Sequence, residues 1–105
     1  MRVTIEHSKT PEEVKASVDR GFDQIFAGFA AGPVQFDGQQ RAWRENSLLF
    51  SMIVRMGFVR APIRGTILVE EKLVTVDVDL GVLEKLVSQE SVRRQIEGRV
   101  RRLMQ

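Results

Sequence analysis

The stretch SLLFSMIVRMGF, residues 47–58, decides the fold class of this chain. Every even position from Leu48 to Met56 is apolar, whereas the odd positions mix Ser47, Leu49, Ser51, Ile53 and Arg55. Side chains of a strand point alternately to its two faces, so a period of two predicts a β-strand with one face in a core. The opposite face, which carries Leu49 and Ile53, poses the question of what covers it.

Period-two alternation predicts four further strands. They are expected at residues 2–6, from 34 toward 43, at 63–70 and at 73–80. Short turns at 45–46 and 70–72 connect neighbouring strands, which therefore pair antiparallel. The sequence DGQQ at 37–40 indicates a bulge or turn inside the second strand. The sequence APIRG at 61–65 predicts an irregular link, because proline interrupts sheet pairing.

Helical periodicity appears on both sides of the strand-rich region. The sequence TPEE at 10–13 combines a capping threonine, a proline in the first turn and a capping-box glutamate. Apolar residues then recur at helical spacing as far as Phe29, and Gly-Pro at 32–33 is expected to end this helix. A second helix is predicted over 83–104, with a break near 88–91 where SQES interrupts the apolar stripe.

The element order predicts the fold class. The order β-α-β-β-β-β-α predicts an α+β two-layer sandwich, an antiparallel sheet with two helices on one face. The chain has 105 residues, of which 43% are hydrophobic and 29% charged, as in an ordinary globular domain. Residues 1–105 are therefore expected to form a single α+β domain.

Composition excludes several classes of chemistry. There is no cysteine, which excludes thiol nucleophiles and thiolate metal sites, and the single histidine, His7, disfavours a histidine metal cluster or a serine-type triad within one chain. We predict no catalytic residues, no metal site and no cofactor. His7 is expected to pack or cap locally, and Asp77 and Asp79 to form a solubilising edge. Without a signal peptide or an apolar run long enough to cross a membrane, the expected location is cytoplasmic.

The sheet face away from the helices is the first candidate binding surface. It is predicted to carry apolar side chains, with arginines at their rim if the strand register brings them there: Trp43, Leu49, Ile53 and Leu68, then Arg41, Arg55 and Arg64. Scattered apolar residues are normal on such a face. A contiguous patch would instead mark a homodimer interface or a surface for an apolar partner. Both interpretations stay open at this point.

The last helix is the second candidate surface. Residues 91–105 carry five arginines against Glu97, and four of them fall opposite the apolar stripe: Arg93, Arg94, Arg101 and Arg102. A basic helix face can bind nucleic-acid phosphates or another anionic surface. It is also typical of a solvated face with cations near a helix C-terminus. Nucleic acid is the less favoured partner, because no recognition-helix motif or interleaved aromatic residues accompany the arginines.

The complete pattern resembles a known family. The N-terminal MRVTIEH, the amphipathic helix, the strands ending in GTILVEEKLVTVDVDLGVL and the terminal helix are similar to the polyhydroxyalkanoic acid system proteins. These are small bacterial proteins associated with storage-polyester granules. The resemblance covers essentially the full chain and is strongest over residues 65–83. The topology also resembles a shortened helix-grip fold, an architecture that binds lipids and polyketides.

The resemblance implies a non-enzymatic accessory protein of polyhydroxyalkanoate metabolism, acting at the granule surface or on its coat proteins. One alternative is a module that holds an apolar ligand between helix and sheet, lined by Phe22, Phe26, Phe50 and Met52. Another is a nucleic-acid-binding regulator that uses the arginine-rich last helix. Homodimerisation through the exposed sheet face is compatible with all three hypotheses.

Overall fold

The computed structural model of the protein describes residues 1–26 and 35–105. The strands are β1 (Arg2–Glu6), β2 (Gln35–Arg44), β3 (Ser47–Met56), β4 (Val59–Val69) and β5 (Leu73–Asp79). The helices are α1 (Pro11–Phe26), a short 3₁₀ helix (Gly81–Lys85) and α2 (Gln89–Leu103). This is the predicted order, and the α+β class is confirmed. Phe29 and the expected helix end at 32–33 lie outside the described residues.

The five strands form one antiparallel sheet in the order β1-β5-β4-β3-β2. The hairpins β2–β3, β3–β4 and β4–β5 follow from their short turns. Strand β1, although first in sequence, pairs with β5. Strand β5 therefore lies inside the sheet, so the expectation that Asp77 and Asp79 protect a sheet edge is wrong.

Both helices cover one face of the sheet, which we call the inner face. The even positions of β3 from Leu48 to Val54 are buried in one cluster with apolar residues of both helices. The rings of Phe22, Phe26 and Phe50 pack with centroids 5.1 to 5.3 Å apart. The prediction that the even face of this strand lies under the helices is confirmed. The opposite side of the sheet is called the outer face.

Both helix starts are capped, the first as predicted at Thr10. Glu13 N donates to Thr10 Oγ1 at 3.2 Å, and Thr10 N donates to a Glu13 carboxylate oxygen at 3.2 Å, which is a capping box. The bond from the Thr10 amide, followed by that from its hydroxyl, lowers the pKa of Glu13 below its usual value. Ser88 caps α2 by accepting from the Ser91 amide at 3.2 Å. The predicted break near 88–91 therefore separates the 3₁₀ helix from α2.

The predicted irregular link at 61–65 is wrong, because β4 runs without interruption from Val59 to Val69. A two-residue turn, Gly57–Phe58, joins it to β3, with Met56 paired to Val59. Strand β5 pairs with β4 only from Arg64 onward. Pro62 therefore lies where β4 has no strand neighbour on one side, a position at which a missing N–H is tolerated.

Candidate functional site

The outer face carries two apolar spots. In the first, Leu49 lies between Ala42 of β2 and Thr66 of β4, with Leu68 at the diagonal position. Leu49 is 39% exposed and Leu68 37% exposed. In the second, Ile53 lies opposite Pro62. In each spot, side chains of adjacent strands lie beside one another and leave apolar surface open to solvent.

A polar row separates the two spots. It crosses four strands through Gln40, Ser51, Arg64 and Asp79, which are successive register partners. Two open grooves, of about 550 and about 580 Å³, share these four residues and extend from the row over one spot each. The outer face is therefore a shallow amphipathic surface with two apolar ends, and the single contiguous apolar patch considered above does not form.

Arg64 is the cationic residue of the row, which otherwise consists of Gln40, Ser51 and Asp79. Within the described residues its side chain forms no hydrogen bond or ion pair, although it lies in both grooves. Arg55, the other arginine predicted at this rim, lies on the outer face but is engaged by Asp37 and Gln35. The two arginines thus differ: the guanidinium of Arg55 is held by neighbours, whereas that of Arg64 is available to a partner.

The nearby carboxylates are already used within the protein. Asp77 forms an ion pair with Arg2 at 3.1 Å, and Asp79 accepts a hydrogen bond from the Gly81 amide at 3.0 Å. An ion pair between exposed groups contributes little to stability, but it satisfies the carboxylate of Asp77. Both carboxylates, of Asp77 and of Asp79, are therefore engaged in structural contacts, which is not the arrangement expected of an acid–base pair. In the described residues no group of three or more histidine and acidic side chains could hold a metal ion.

The placement of Trp43 on the outer face is wrong. Trp43 pairs with the buried Leu48 and so lies on the inner side, where its Nε1 donates to Asp19 of α1 at 3.0 Å. Lys15 lies over its ring, 4.9 Å from the centroid. The cause is a one-residue shift in register between Asp37 and Gln40. An inserted residue changes the face of every side chain beyond it.

Arg41 follows the same register shift. Its guanidinium carbon lies 4.7 Å from the centroid of the Phe22 ring, on the inner face. In this cation–π contact the guanidinium of Arg41 covers the aromatic core and is not at the rim of the outer face, although Arg41 also contributes to the lining of the first groove. Gln40 takes its place there. Of the arginines considered at the rim, the register leaves Arg55 and Arg64.

The arginines of α2 are mostly neutralised by glutamates of the same helix. Glu97 contacts Arg101 at 2.8 Å and Arg93 at 3.8 Å, and Arg94 pairs with Glu90 at 3.2 Å. Arg102 faces a groove between the two helices that Lys9 and Arg20 also line. The four arginines predicted as an anion site are thus not brought together, because three of them are held in i,i+4 pairs.

The ion pairs of Glu97 give a pH-dependent prediction. The hydrogen bond from Arg101 lowers the pKa of Glu97 in the folded protein, so its contribution to stability is present above the unfolded-state pKa and is lost as pH falls through the folded-state value. We expect Glu97→Gln to be less stable than the wild type at about pH 7 and the difference to shrink at about pH 3. Urea unfolding of both proteins at the two pH values measures this. A difference that is the same at both would contradict it.

His7 has the local role that was predicted. Its amide donates to the Lys72 carbonyl at 2.9 Å, and its ring Nε2 lies 2.9 Å from the carbonyl oxygen of Glu70. These contacts tie the end of β1 to the β4–β5 turn. The ring is therefore part of a structural connection, remote from the outer-face grooves.

The structure also brings in residues that sequence reasoning did not name. Gln40, Ser51 and Thr66 line the grooves, and Pro62 completes the second apolar spot. Period-two alternation does continue through residues 59–69, and that signal would have put Pro62 and Thr66 on the outer face. The alternation is masked by Pro62, because a proline within a strand pattern indicates a break in the sheet.

Comparisons with known proteins identify one family. A family model described as "putative polyhydroxyalkanoic acid system protein" matches residues 1–104. No curated protein and no solved structure shows significant similarity to the chain. Over residues 1–26 and 35–105, none of the helices has the length and apolar character needed to cross a membrane.

Proposed function

The chain belongs to the polyhydroxyalkanoic acid system protein family, and on this premise we propose that it is a non-enzymatic accessory protein acting in the cytoplasm at the surface of storage-polyester granules. We propose further that the outer sheet face is the surface that meets the polymer. The observation that supports this most directly is the free guanidinium of Arg64 between two exposed apolar spots.

The chemistry of an aliphatic polyester matches this surface. The polymer presents alkyl groups and ester carbonyl oxygens, so it can accept hydrogen bonds but not donate them. Leu49, Leu68 and Ile53 supply apolar contact, and Arg64 supplies donors at the centre of the face. Apolar burial contributes about 25 cal/mol per Å², so a broad shallow contact of this kind binds through area and not through one anchoring residue.

Three features support a role without catalysis. His7 is tied to the β4–β5 turn, Asp77 is paired with Arg2, and Asp79 accepts from a backbone amide. A general acid or base must lie within reach of a reacting group and have a free ring or carboxylate to act with. These side chains are engaged in structural contacts, and the second ring nitrogen of His7, Nδ1, has no partner among the described residues but is buried, which favours a binding function for this protein.

The ligand-module alternative is disfavoured by the packing of its proposed lining. The rings of Phe22, Phe26 and Phe50 contact one another, and Met52 is buried beside them. Side chains packed in this way fill the space between helix and sheet. The nucleic-acid alternative is disfavoured by the glutamates that pair with Arg93, Arg94 and Arg101.

A second copy of the chain is the competing occupant of the outer face. A homodimer would bury Leu49, Leu68 and Ile53 through a two-fold axis. Light scattering coupled to gel filtration distinguishes the two cases. If the protein is a stable dimer and a charged substitution at Ile53 dissociates it, the outer face is a self-association surface. That result would contradict the polymer proposal.

The direct test is co-sedimentation of the purified protein with protein-free polyhydroxyalkanoate particles, with polystyrene beads beside them as a control at low and high salt. We expect selective pelleting with the polyester that changes little with salt, because apolar contact and hydrogen bonds dominate the proposed surface. Equal pelleting on both materials, or none on the polyester, would contradict the proposal.

A further inference from the structure

The most exposed apolar side chain of the described residues is Phe58, which is 106% exposed at the tip of the β3–β4 hairpin. Gly57 precedes it with a φ of 58°, the backbone that a type II′ turn needs at its first central position. The second position has no requirement for an aromatic residue. The fold therefore explains Gly57 but gives no reason for Phe58.

The turns at the opposite end of the sheet have the usual polar composition. Residues 45–46 are Glu-Asn and residues 70–72 are Glu-Glu-Lys, and the two turns are joined by a hydrogen bond from the Val69 amide to the Asn46 carbonyl at 2.8 Å. The protein is 42 Å along its longest axis. Its sheet thus has one polar end and one end that presents a phenyl ring to solvent.

Two more apolar side chains are exposed in and just after the 3₁₀ helix. Asp79 is opposite Arg64, and beyond it the chain continues into the 3₁₀ helix, which packs on β4. This helix carries Val82, which is 58% exposed, and Leu86, which is 53% exposed, follows the helix directly. Met56 and Val59, at the base of the turn, are partly buried against the core. The phenyl ring is therefore held outward on a supported hairpin.

Cationic side chains lie behind the ring. Arg60 is two residues from Phe58, ~7 Å back along the strand, and forms no ion pair or hydrogen bond within the described residues. Arg55, on the neighbouring strand, is paired with Asp37. Of these two arginines, Arg60 is therefore the one whose guanidinium has no partner within the described residues. A phenyl ring at the tip with a guanidinium behind it matches the boundary of a lipid layer, where the ring would meet acyl chains and the guanidinium would meet phosphate groups.

From this arrangement we propose that the Phe58 hairpin tip inserts into the surface of an anionic phospholipid layer. Phe58 would enter the acyl region, and Arg60 would contact the phosphate groups. This binding goes beyond the polyester contact of the outer face and uses different residues. With one aromatic anchor and one free cation, it is expected to be weak and reversible.

The test is sedimentation of the full chain with sucrose-loaded vesicles of phosphatidylcholine alone and of phosphatidylcholine mixed with phosphatidylglycerol. We expect Phe58→Ser to weaken binding to the mixed vesicles about 30-fold, the loss that corresponds to one buried aromatic side chain. Phe58→Trp should preserve binding and show a blue shift in fluorescence on the vesicles. Arg60→Gln should weaken binding to the anionic vesicles about five-fold.

The control variant is Leu49→Ser, which removes an exposed apolar residue from the outer face. It should bind the vesicles like the wild type. Because the ring of Phe58 is solvent-exposed, Phe58→Ser should unfold at the same temperature as the wild type, which excludes misfolding as the cause of its lost binding. The inference would be overturned if Phe58→Ser bound the vesicles as tightly as the wild type does. It would also be overturned if the wild type bound neither kind of vesicle.

The polyester particles separate this inference from the function proposed above. If the wild type binds the polyester particles but does not bind the vesicles, the lipid contact alone is overturned. Vesicle binding that depends on Phe58, without polyester binding, would overturn the outer-face function alone. We expect Phe58→Ser to retain polyester binding and Leu49→Ser to reduce it, a double dissociation between the two surfaces.

Discussion

Gly65→Ala is expected to destabilise the protein by about 3 kcal/mol, the upper part of the range for overpacked cores. Gly65 lies in the middle of β4, opposite Phe50 and Val78. An added Cβ would lie 2.2 Å from the carbonyl oxygen of Asp77 and 2.8 Å from the Phe50 ring. The first of these is a backbone atom of the neighbouring strand, so the sheet itself would have to move.

The ring of Phe50 explains why this site admits only glycine. It covers the backbone of Gly65 and packs against Phe22 and Phe26, so any side chain at 65 would displace the centre of the core. The matched control is the same substitution at Gly98 in α2, where an added Cβ meets nothing within 4 Å. Gly98→Ala should stabilise by about 0.5–1 kcal/mol, because glycine is a poor helix former.

Urea unfolding of the wild type and the two variants measures both effects. A native domain of this size has a stability of about 5–15 kcal/mol, so a loss of 3 kcal/mol is readily resolved. Equal midpoints for Gly65→Ala and the wild type would show that the strands separate easily at this position. The close packing of Phe50 on β4 would then not be a constraint on the fold.

The second large effect is expected for Ile53→Asp, which should lose polyester association at least about ten-fold while remaining folded. Ile53 forms the second apolar spot with Pro62, and a carboxylate there would have to lose its hydration on contact with the polymer. Asp37 is its register partner on β2, so the new charge would also repel an existing one. The lost hydration opposes binding of the uncharged polymer, whereas the repulsion between the two carboxylates is a cost to folding.

The matched control is Thr4→Asp, which adds the same charge on the outer face at the edge strand β1. It should pellet with the polyester like the wild type, because β5 lies between β1 and β4, the nearer of the two strands that carry the second apolar spot. Far-ultraviolet circular dichroism establishes that each variant is folded. Normal pelleting of a folded Ile53→Asp would show that the polymer contacts another part of the molecule.

Most of the fold was predictable because its signals are local. The even positions of residues 48–54 are buried, the helix start at Thr10 has its capping box, and the break before α2 is capped by Ser88. Each of these follows from side-chain alternation or from hydrogen bonds within a few residues. The interruption expected at 61–65 failed because a proline is tolerated where a strand lacks one neighbour.

The candidate site was predicted in part. Leu49, Ile53, Leu68, Arg55 and Arg64 do lie on the outer face. Trp43 and Arg41 do not, because the bulge between Asp37 and Gln40 reverses their faces. The sequence DGQQ indicates that an irregularity is present, but the number of inserted residues decides the face, and only pairing with β3 determines that number.

The sequence by itself determined which residues alternate, where the helices begin and that no cysteine is available for thiol chemistry, since these depend on residue type and short-range spacing. The tertiary structure decided which side chains become neighbours. Within the described residues, it paired Arg55 with Asp37, left Arg64 without a partner, divided the apolar outer face in two and exposed the ring of Phe58 at the tip of a hairpin. Register and strand order create these contacts, and both arise from burying the whole core at once.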